Sequence, residues 1–174
     1  KGADRVTGDQ MGMLATVMNA LALEGAINNT GCHSRVMSAV GMPTICETFT
    51  HRKALKQLER HRVLIFAGGT GNPFFTTDSG AALRAVEMQC DAILKATQVD
   101  GIYSADPKKD PDAVRFDKIS YEEILSRGLQ VMDTAAVSLA RDNNVPVVVF
   151  SIHNPGELVK VACGQGLATI VSTD

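Results

Sequence analysis

Three short apolar runs limit what this chain can become: Val63-Leu64-Ile65-Phe66, Ala92-Ile93-Leu94 and Val145 to Phe150. Each is near-continuous in hydrophobicity rather than alternating, so the strand it forms needs cover on both faces. Helical segments lie between them, at Asp78 to Met88, Tyr121 to Arg127 and Ala135 to Asn143. Strand, helix, strand, helix is the order of an α/β fold, and the expectation is a three-layer α/β/α sandwich with a mostly parallel sheet. Upstream, Arg35 to Ser38 reads as a further strand, and Thr50 to Arg60 as a helix with Ala54, Leu55 and Leu58 inward. Thr7-Gly8-Asp9-Gln10 matches a capping box, and Met11, Leu14, Met18 and Leu21 follow at helical spacing as one buried stripe.

The chain has 174 residues, 45% of them hydrophobic, enough for one core and hence a single domain over residues 1–174. A net charge of -2 with no run of Lys or Arg leaves no footprint for nucleic acid or an anionic membrane. The four cysteines contain no C-x-x-C pair and the four histidines no ligand spacing, so no metal site is expected from them. No stretch approaches the roughly 20 apolar residues of a membrane span, and no charged start followed by an apolar run suggests a signal peptide. The scattered, unpaired cysteines fit a reducing cytoplasm. The chain starts without Met and enters a helix almost at once, so upstream sequence is expected to be missing.

In an open α/β sheet, ligands gather beyond the carboxyl ends of the strands. The segment Ala67 to Asp78, AGGTGNPFFTTD, leaves one such strand and enters a helix. Its glycines let successive N–H groups converge, and the helix N-terminus adds free donors, an arrangement that holds phosphate. A tight turn asks for glycine as well. Lys95 to Pro107, KATQVDGIYSADP, follows a second strand; Lys95 supplies a mobile charge, Tyr103 a flat face for a purine, and Asp106 an acceptor for ribose. The same residues would also suit an ordinary strand end with a solvated Lys and an Asp-Pro turn. Asp9, in the first helical turn after the Thr7 cap, and Asp133, ahead of the helix from Thr134, each read more simply as helix-end carboxylates favoured by the dipole than as ligands. Asp106 to Asp112 is polar and rich in Pro, an exposed loop.

Three strings, GTGNPFFTTDS (69–79), RVTGDQMGMLATVMNALAL (5–23) and LKATQVDGIYSADPKKDP (94–111), resemble the signature segments of bacterial UMP kinases in the amino-acid-kinase superfamily. The resemblance spans nearly the whole chain and implies transfer of the γ-phosphate of ATP to UMP, giving UDP in pyrimidine nucleotide biosynthesis. It implies further that Asp9 contacts the UMP ribose, and that Thr70, Gly71, Asn72, Pro73, Phe74, Phe75, Thr76 and Thr77 wrap the uracil and acceptor phosphate. Thr97, Tyr103 and Asp106 would bind ATP, Asp78 would organise the transferring phosphate, and Lys95 would assist. Magnesium, activation by GTP, inhibition by UTP and a cytoplasmic homohexamer complete what the resemblance implies. Arg35 and Arg62 are basic enough to meet an effector phosphate, but isolated arginines of this kind read more simply as solvated surface residues.

The family's first strand, with its Lys-x-Ser-Gly segment, a Gly-Gly-Gly loop and an Arg, does not occur in these residues. The amino-acid-kinase-like fold is therefore expected to be incomplete at its N-terminus, and the phosphate clamp partial. A non-catalytic nucleotide-binding, sensing or storage protein, or a sibling kinase for an amino-acid-type substrate, stands as the alternative.

Overall fold

Val36 and Met37 are sequence neighbours, yet they enter different cores on opposite faces of one sheet. The computed structural model describes residues 2–107 and 109–173, and its contacts divide the chain into two compact units, residues 1–88 and 89–174. In the first unit, helix α1 (Arg5–Asn29) is followed by strands β1 (Ser34–Ser38) and β2 (Glu47–Thr48), helix α2 (His51–Leu58), strand β3 (Val63–Ala67) and helix α3 (Thr77–Glu87). The strands pair in the order β2-β1-β3, all parallel. Val17 and Ala20 of α1 close over Val36, Ile65 and Ala67, while Ala54 of α2 and Met88 close over Met37, Leu64 and Phe66. This unit is thus three layers, helix on sheet on helix.

In the second unit the elements are β4 (Ile93–Thr97), β5 (Lys118–Ser120), α4 (Tyr121–Arg127), α5 (Thr134–Asp142), β6 (Val147–Ser151), α6 (Glu157–Ala162) and β7 (Ala168–Ser172). The order β4-β6-β7-β5 is parallel except at β6–β7. Pro146 has no N–H to give a ladder, so β6 begins one residue later, while its carbonyl still accepts from Ile93 N–H at 2.8 Å. Asp133 caps α5 as expected, accepting from Ala136 N–H at 2.9 Å.

Several expectations need correction. Asp4, not Thr7, caps α1 by accepting from Thr7 N–H, so the helix starts earlier and Asp9 lies in its second turn. The buried stripe runs through Val17 and Ala20, whereas Met11 and Met18 are 61% and 72% exposed. Of the expected stripe, Leu21 packs against this core, while Met11, Leu14 and Met18 lie exposed. Only Ala54 of α2 is buried; Leu55 and Leu58, expected inward, are exposed. β4 runs on to Thr97 because it pairs with β6 as far as Thr97↔Ser151, so Lys95 and Thr97 belong to the strand rather than to the loop after it. Within the exposed 106–112 loop, Lys108 lies outside the described residues.

Tyr121 is 1% exposed and its hydroxyl donates to the Val145 carbonyl, joining α4 to the entry of β6. Burial pushes this phenol up from 10.0 to about 12. Because the folded value is the higher one, its contribution to stability is complete below pH 10 and lost as pH rises through about 12. Tyr121→Phe strands the Val145 carbonyl and is expected to lower unfolding free energy by about 1–2 kcal/mol in urea titration, and to flatten the loss of stability above pH 10.

Candidate functional site

The first unit builds its site where β3 ends. Gly68 turns the chain with φ +76°, and a Cβ there would lie 3.2 Å from Ser38 Oγ, so glycine is required twice over. Its N–H donates to Thr16 Oγ1 at 2.9 Å, and the Thr16 hydroxyl donates on to the Met13 carbonyl at 2.7 Å, fixing the turn to α1. The chain re-enters a helix at Thr76, whose Oγ1 accepts from Asp78 N–H at 3.1 Å and Ser79 N–H at 3.3 Å. Gly80 lets α3 come close: a Cβ there would meet Gly69 Cα at 3.1 Å. Arg84, packed 3.8 Å from the Phe49 ring centroid and paired with Glu87, reaches the Gly69 carbonyl at 3.5 Å.

Asp9 latches the far end of this loop. Arg5 Nε donates to both its oxygens, at 2.9 and 2.8 Å, and Phe74 N–H donates to Oδ2 at 2.8 Å. Phe74 sits at φ +72°, a left-handed backbone that costs a non-glycine residue about 1–3 kcal/mol and persists only where its surroundings impose it. The Asp9 bond is one such constraint, and the Arg5 guanidinium over the Phe74 ring, 5.8 Å from its centroid, is another. The Arg5 hydrogen bonds, then the Phe74 amide, hold the Asp9 carboxyl below its usual 3.8.

A cleft of about 210 Å³ opens here. Asp9, Thr70, Asn72, Phe75, Thr76 and Thr77 line it, as do Gly8, Gly12, Met13, Thr16, Gly68 and Gly69. Gly71, Pro73, Phe74 and Asp78 are not on its wall. Gly71, at φ +79°, packs under Ala39; Phe74 points outward, 68% exposed; and Asp78 occupies the first turn of α3. Asn72 Nδ2 donates to the Thr70 carbonyl at 3.3 Å and Asn72 N–H to Thr70 Oγ1 at 3.2 Å, so the two residues orient each other. Thr16 was not foreseen; its one signal in the sequence is a hydroxyl within an apolar helix.

The second unit carries a larger cleft, about 640 Å³, lined by Lys95, Thr97, Tyr103 and Asp106 and closed by residues 128–131. Thr97 Oγ1 accepts from Val99 N–H and donates to the Val99 carbonyl, each at 2.9 Å, so the chain turns sharply off β4. Tyr103 Oη donates to Asp100 Oδ1 at 2.8 Å, and this bond is the main cause that raises the phenol above 10.0. Asp106 starts the following turn, its carbonyl accepting from Lys109 and Asp110 N–H at 2.9 Å. The 128–131 wall was not anticipated; Gly128 at φ +63°, ending α4, is the sequence feature that places it. Among the described residues no group of three His, Cys, Asp or Glu side chains could hold a metal ion, and no helix is long and apolar enough to cross a membrane.

The sequence model of the amino acid kinase family matches residues 1–151. The uridylate kinase of Brucella anthropi is 62% identical over 172 residues, which cover 99% of this chain and 72% of that protein. That of Paramagnetospirillum magneticum is 58% identical over 173 residues, with the same 99% and 72% covered. Among solved structures, the UMP kinase from Ureaplasma parvum superposes with a TM-score of 0.95 at 40% identity, covering 97% of this chain and 72% of its own. The UMP kinase from Bacillus anthracis gives 0.96 at 38% identity, covering 99% and 72%.

The Asp9 latch makes a local prediction. Asp9→Ala is expected to speed hydrogen exchange of the Phe74 amide about tenfold or more while leaving the thermal midpoint nearly unchanged, because every group involved is near the surface. Its carboxyl is depressed on folding, so the latch is complete above pH 3.8 and opens as pH falls through the lower folded value. Exchange of that amide unaltered by the substitution would remove Asp9 from this role.

Proposed function

Because the chain belongs to the amino acid kinase family and is similar over nearly its whole length to uridylate kinases of that family, we infer that it transfers the γ-phosphoryl group of ATP to UMP, giving UDP for pyrimidine nucleotide biosynthesis. The observation that carries this reading is the cleft of the first unit, where a glycine turn, the Thr76 cap and the Asp9 carboxylate surround one small space. Backbone N–H groups and hydroxyls at a helix start suit a phosphate, and a carboxylate opposite suits ribose hydroxyls.

In the reaction, a UMP phosphate oxygen forms a bond to the γ-phosphorus of ATP as the bond to the β,γ-bridging oxygen breaks and ADP leaves. That oxygen is anionic at neutral pH, so no strong general base is required. Positioning and charge stabilisation are the protein's contribution. Asp9 takes the ribose, and the Thr70 to Thr77 segment, including Gly71, Pro73 and Phe74, takes the base and acceptor phosphate. Thr97, Tyr103 and Asp106 take ATP. Asp78 organises the groups around the moving phosphoryl, and Lys95 follows its charge. Magnesium supplies charge neutralisation when bound; with no cluster of three ligating side chains among the described residues, the phosphates of ATP would carry it.

The finer expectations belong to the same reading. The exposed apolar row Met11, Leu14 and Met18 supports association between copies of the chain, since such a row is what a subunit contact covers; six as the number of copies rests on the likeness to uridylate kinases alone. GTP as activator and UTP as inhibitor rest on the likeness to uridylate kinases alone; Arg35 borders a polar cavity of about 370 Å³, its Nε 3.5 Å from the Glu47 carboxylate. Arg62 donates to Gln57 at 2.8 Å. A cytoplasmic location follows from the substrates.

Two substitutions in the full-length protein test the assignments. A carboxamide presents both a donor and an acceptor, as the imide edge of uracil does, so Asn72→Ala is expected to reduce the preference for UMP over CMP by about tenfold or more in kcat/KM. Unchanged selectivity would remove Asn72 from uracil reading. Asp78→Asn is expected to lower kcat about a hundredfold with little change in the KM for UMP; a change in KM alone would make it a binding or capping residue.

A further inference from the structure

Thr169 lies on β7, is 0% exposed, and belongs to none of the segments assigned a role above. Its Oγ1 accepts from Ile102 N–H at 2.9 Å, and its hydroxyl donates to the Phe116 carbonyl. Phe116 N–H in turn donates to the Ile102 carbonyl at 2.8 Å. Ile102 and Phe116 face each other as residues of an antiparallel pair do, but one of the two expected backbone bonds is relayed through the threonine hydroxyl. The pairing continues outward through the Tyr103↔Arg115 bridge and through Ser104 N–H to the Val114 carbonyl at 2.9 Å.

The surroundings are built around that hydroxyl. A Cβ on Gly101 would stand 2.5 Å from Thr169 Oγ1 and 3.0 Å from Arg115 Cδ, so the loop can approach β7 only with glycine at this position. Gly101 does not have the left-handed backbone that usually selects glycine, so close approach is the whole reason for it. Arg115 adds a second tie, donating to the Ala168 carbonyl at 2.8 Å. Gly101, Ile102 and Tyr103 are part of the wall of the larger cleft.

We propose that Thr169 is a positioning residue for the donor nucleotide, holding the 99–103 loop in its binding conformation through the Ile102–Thr169–Phe116 relay. It does not touch the cleft itself; it removes the conformational freedom that the loop would otherwise lose on binding. This rests on the reading that the cleft of the second unit takes ATP. Valine keeps the shape of threonine but leaves both Ile102 N–H and the Phe116 carbonyl unpaired, whereas serine keeps the relay.

The test is calorimetric titration of ATP and, separately, of UMP into the full-length wild type, Thr169→Val and Thr169→Ser, with hydrogen exchange followed at Ile102 and across residues 97–106. Thr169→Val is expected to bind ATP about tenfold more weakly with UMP affinity unchanged and faster Ile102 exchange, and Thr169→Ser to restore both. Should Thr169→Val fail to fold, Thr169→Ala is read in the same way. If ATP protects residues 97–106 of the wild type but the valine variant binds it equally well, or if both nucleotides weaken together, the inference is overturned while the ATP reading stands. If ATP binds the wild type without protecting residues 97–106, the reading of the cleft falls and the inference with it.

Discussion

A chain that leaves a buried strand must pair its backbone N–H and C=O groups at the moment it loses its neighbouring strand, and everything functional in this molecule depends on how that is done. Threonine hydroxyls do it repeatedly. Thr16 receives Gly68 N–H as the chain leaves β3, Thr76 receives the first free amides of α3, and Thr97 closes the turn off β4. Thr169 stands between Ile102 and Phe116. Each hydroxyl serves two backbone groups: Thr16, Thr97 and Thr169 accept from one and donate to another, and Thr76 accepts from two amides.

The consequence for chemistry is a pair of loops whose shape is set before any ligand arrives. Phosphoryl transfer gains little from reactive side chains and much from groups already aimed at the phosphates. In the first unit, Gly68 and Gly80 let helices and turn approach closely, and Asp9 holds the unusual backbone of Phe74 in place with Arg5 behind it. In the second, Tyr103 is tied to Asp100 and its neighbours are tied to β7. The two arrangements are unlike in detail and alike in principle.

Much of this was legible in the residues. The apolar runs at 63–66 and 145–150 carry β3 and β6, the second starting only at Val147 after Pro146, because continuous hydrophobicity over so few residues suits a doubly covered strand, and α4 over Tyr121–Arg127 was bounded correctly. The string from Thr70 to Thr77 marked one cleft and Lys95 to Asp106 the other. The helix facing went wrong at α1: Met11, Leu14 and Met18 have the spacing of a buried stripe but face away from the sheet of their own unit, because spacing states which residues share a face and not what that face meets. The cap was misplaced for a similar reason, since Asp4 and Thr7 are both good N-caps and only the path of the chain selects Asp4.

What the order of residues determined by itself was local: which segments are strands and helices, where glycine and threonine make turns possible, and membership of a kinase family through its loop strings. Those properties depend on interactions within a few residues of chain. Tertiary structure alone decided that Phe74 turns its amide to Asp9, that Thr16 meets Gly68, and that Gly101 is glycine because Thr169 lies 2.5 Å from where its Cβ would be. Contacts between residues 52 to 68 positions apart have no local signature, since they arise only when packing brings distant elements into register.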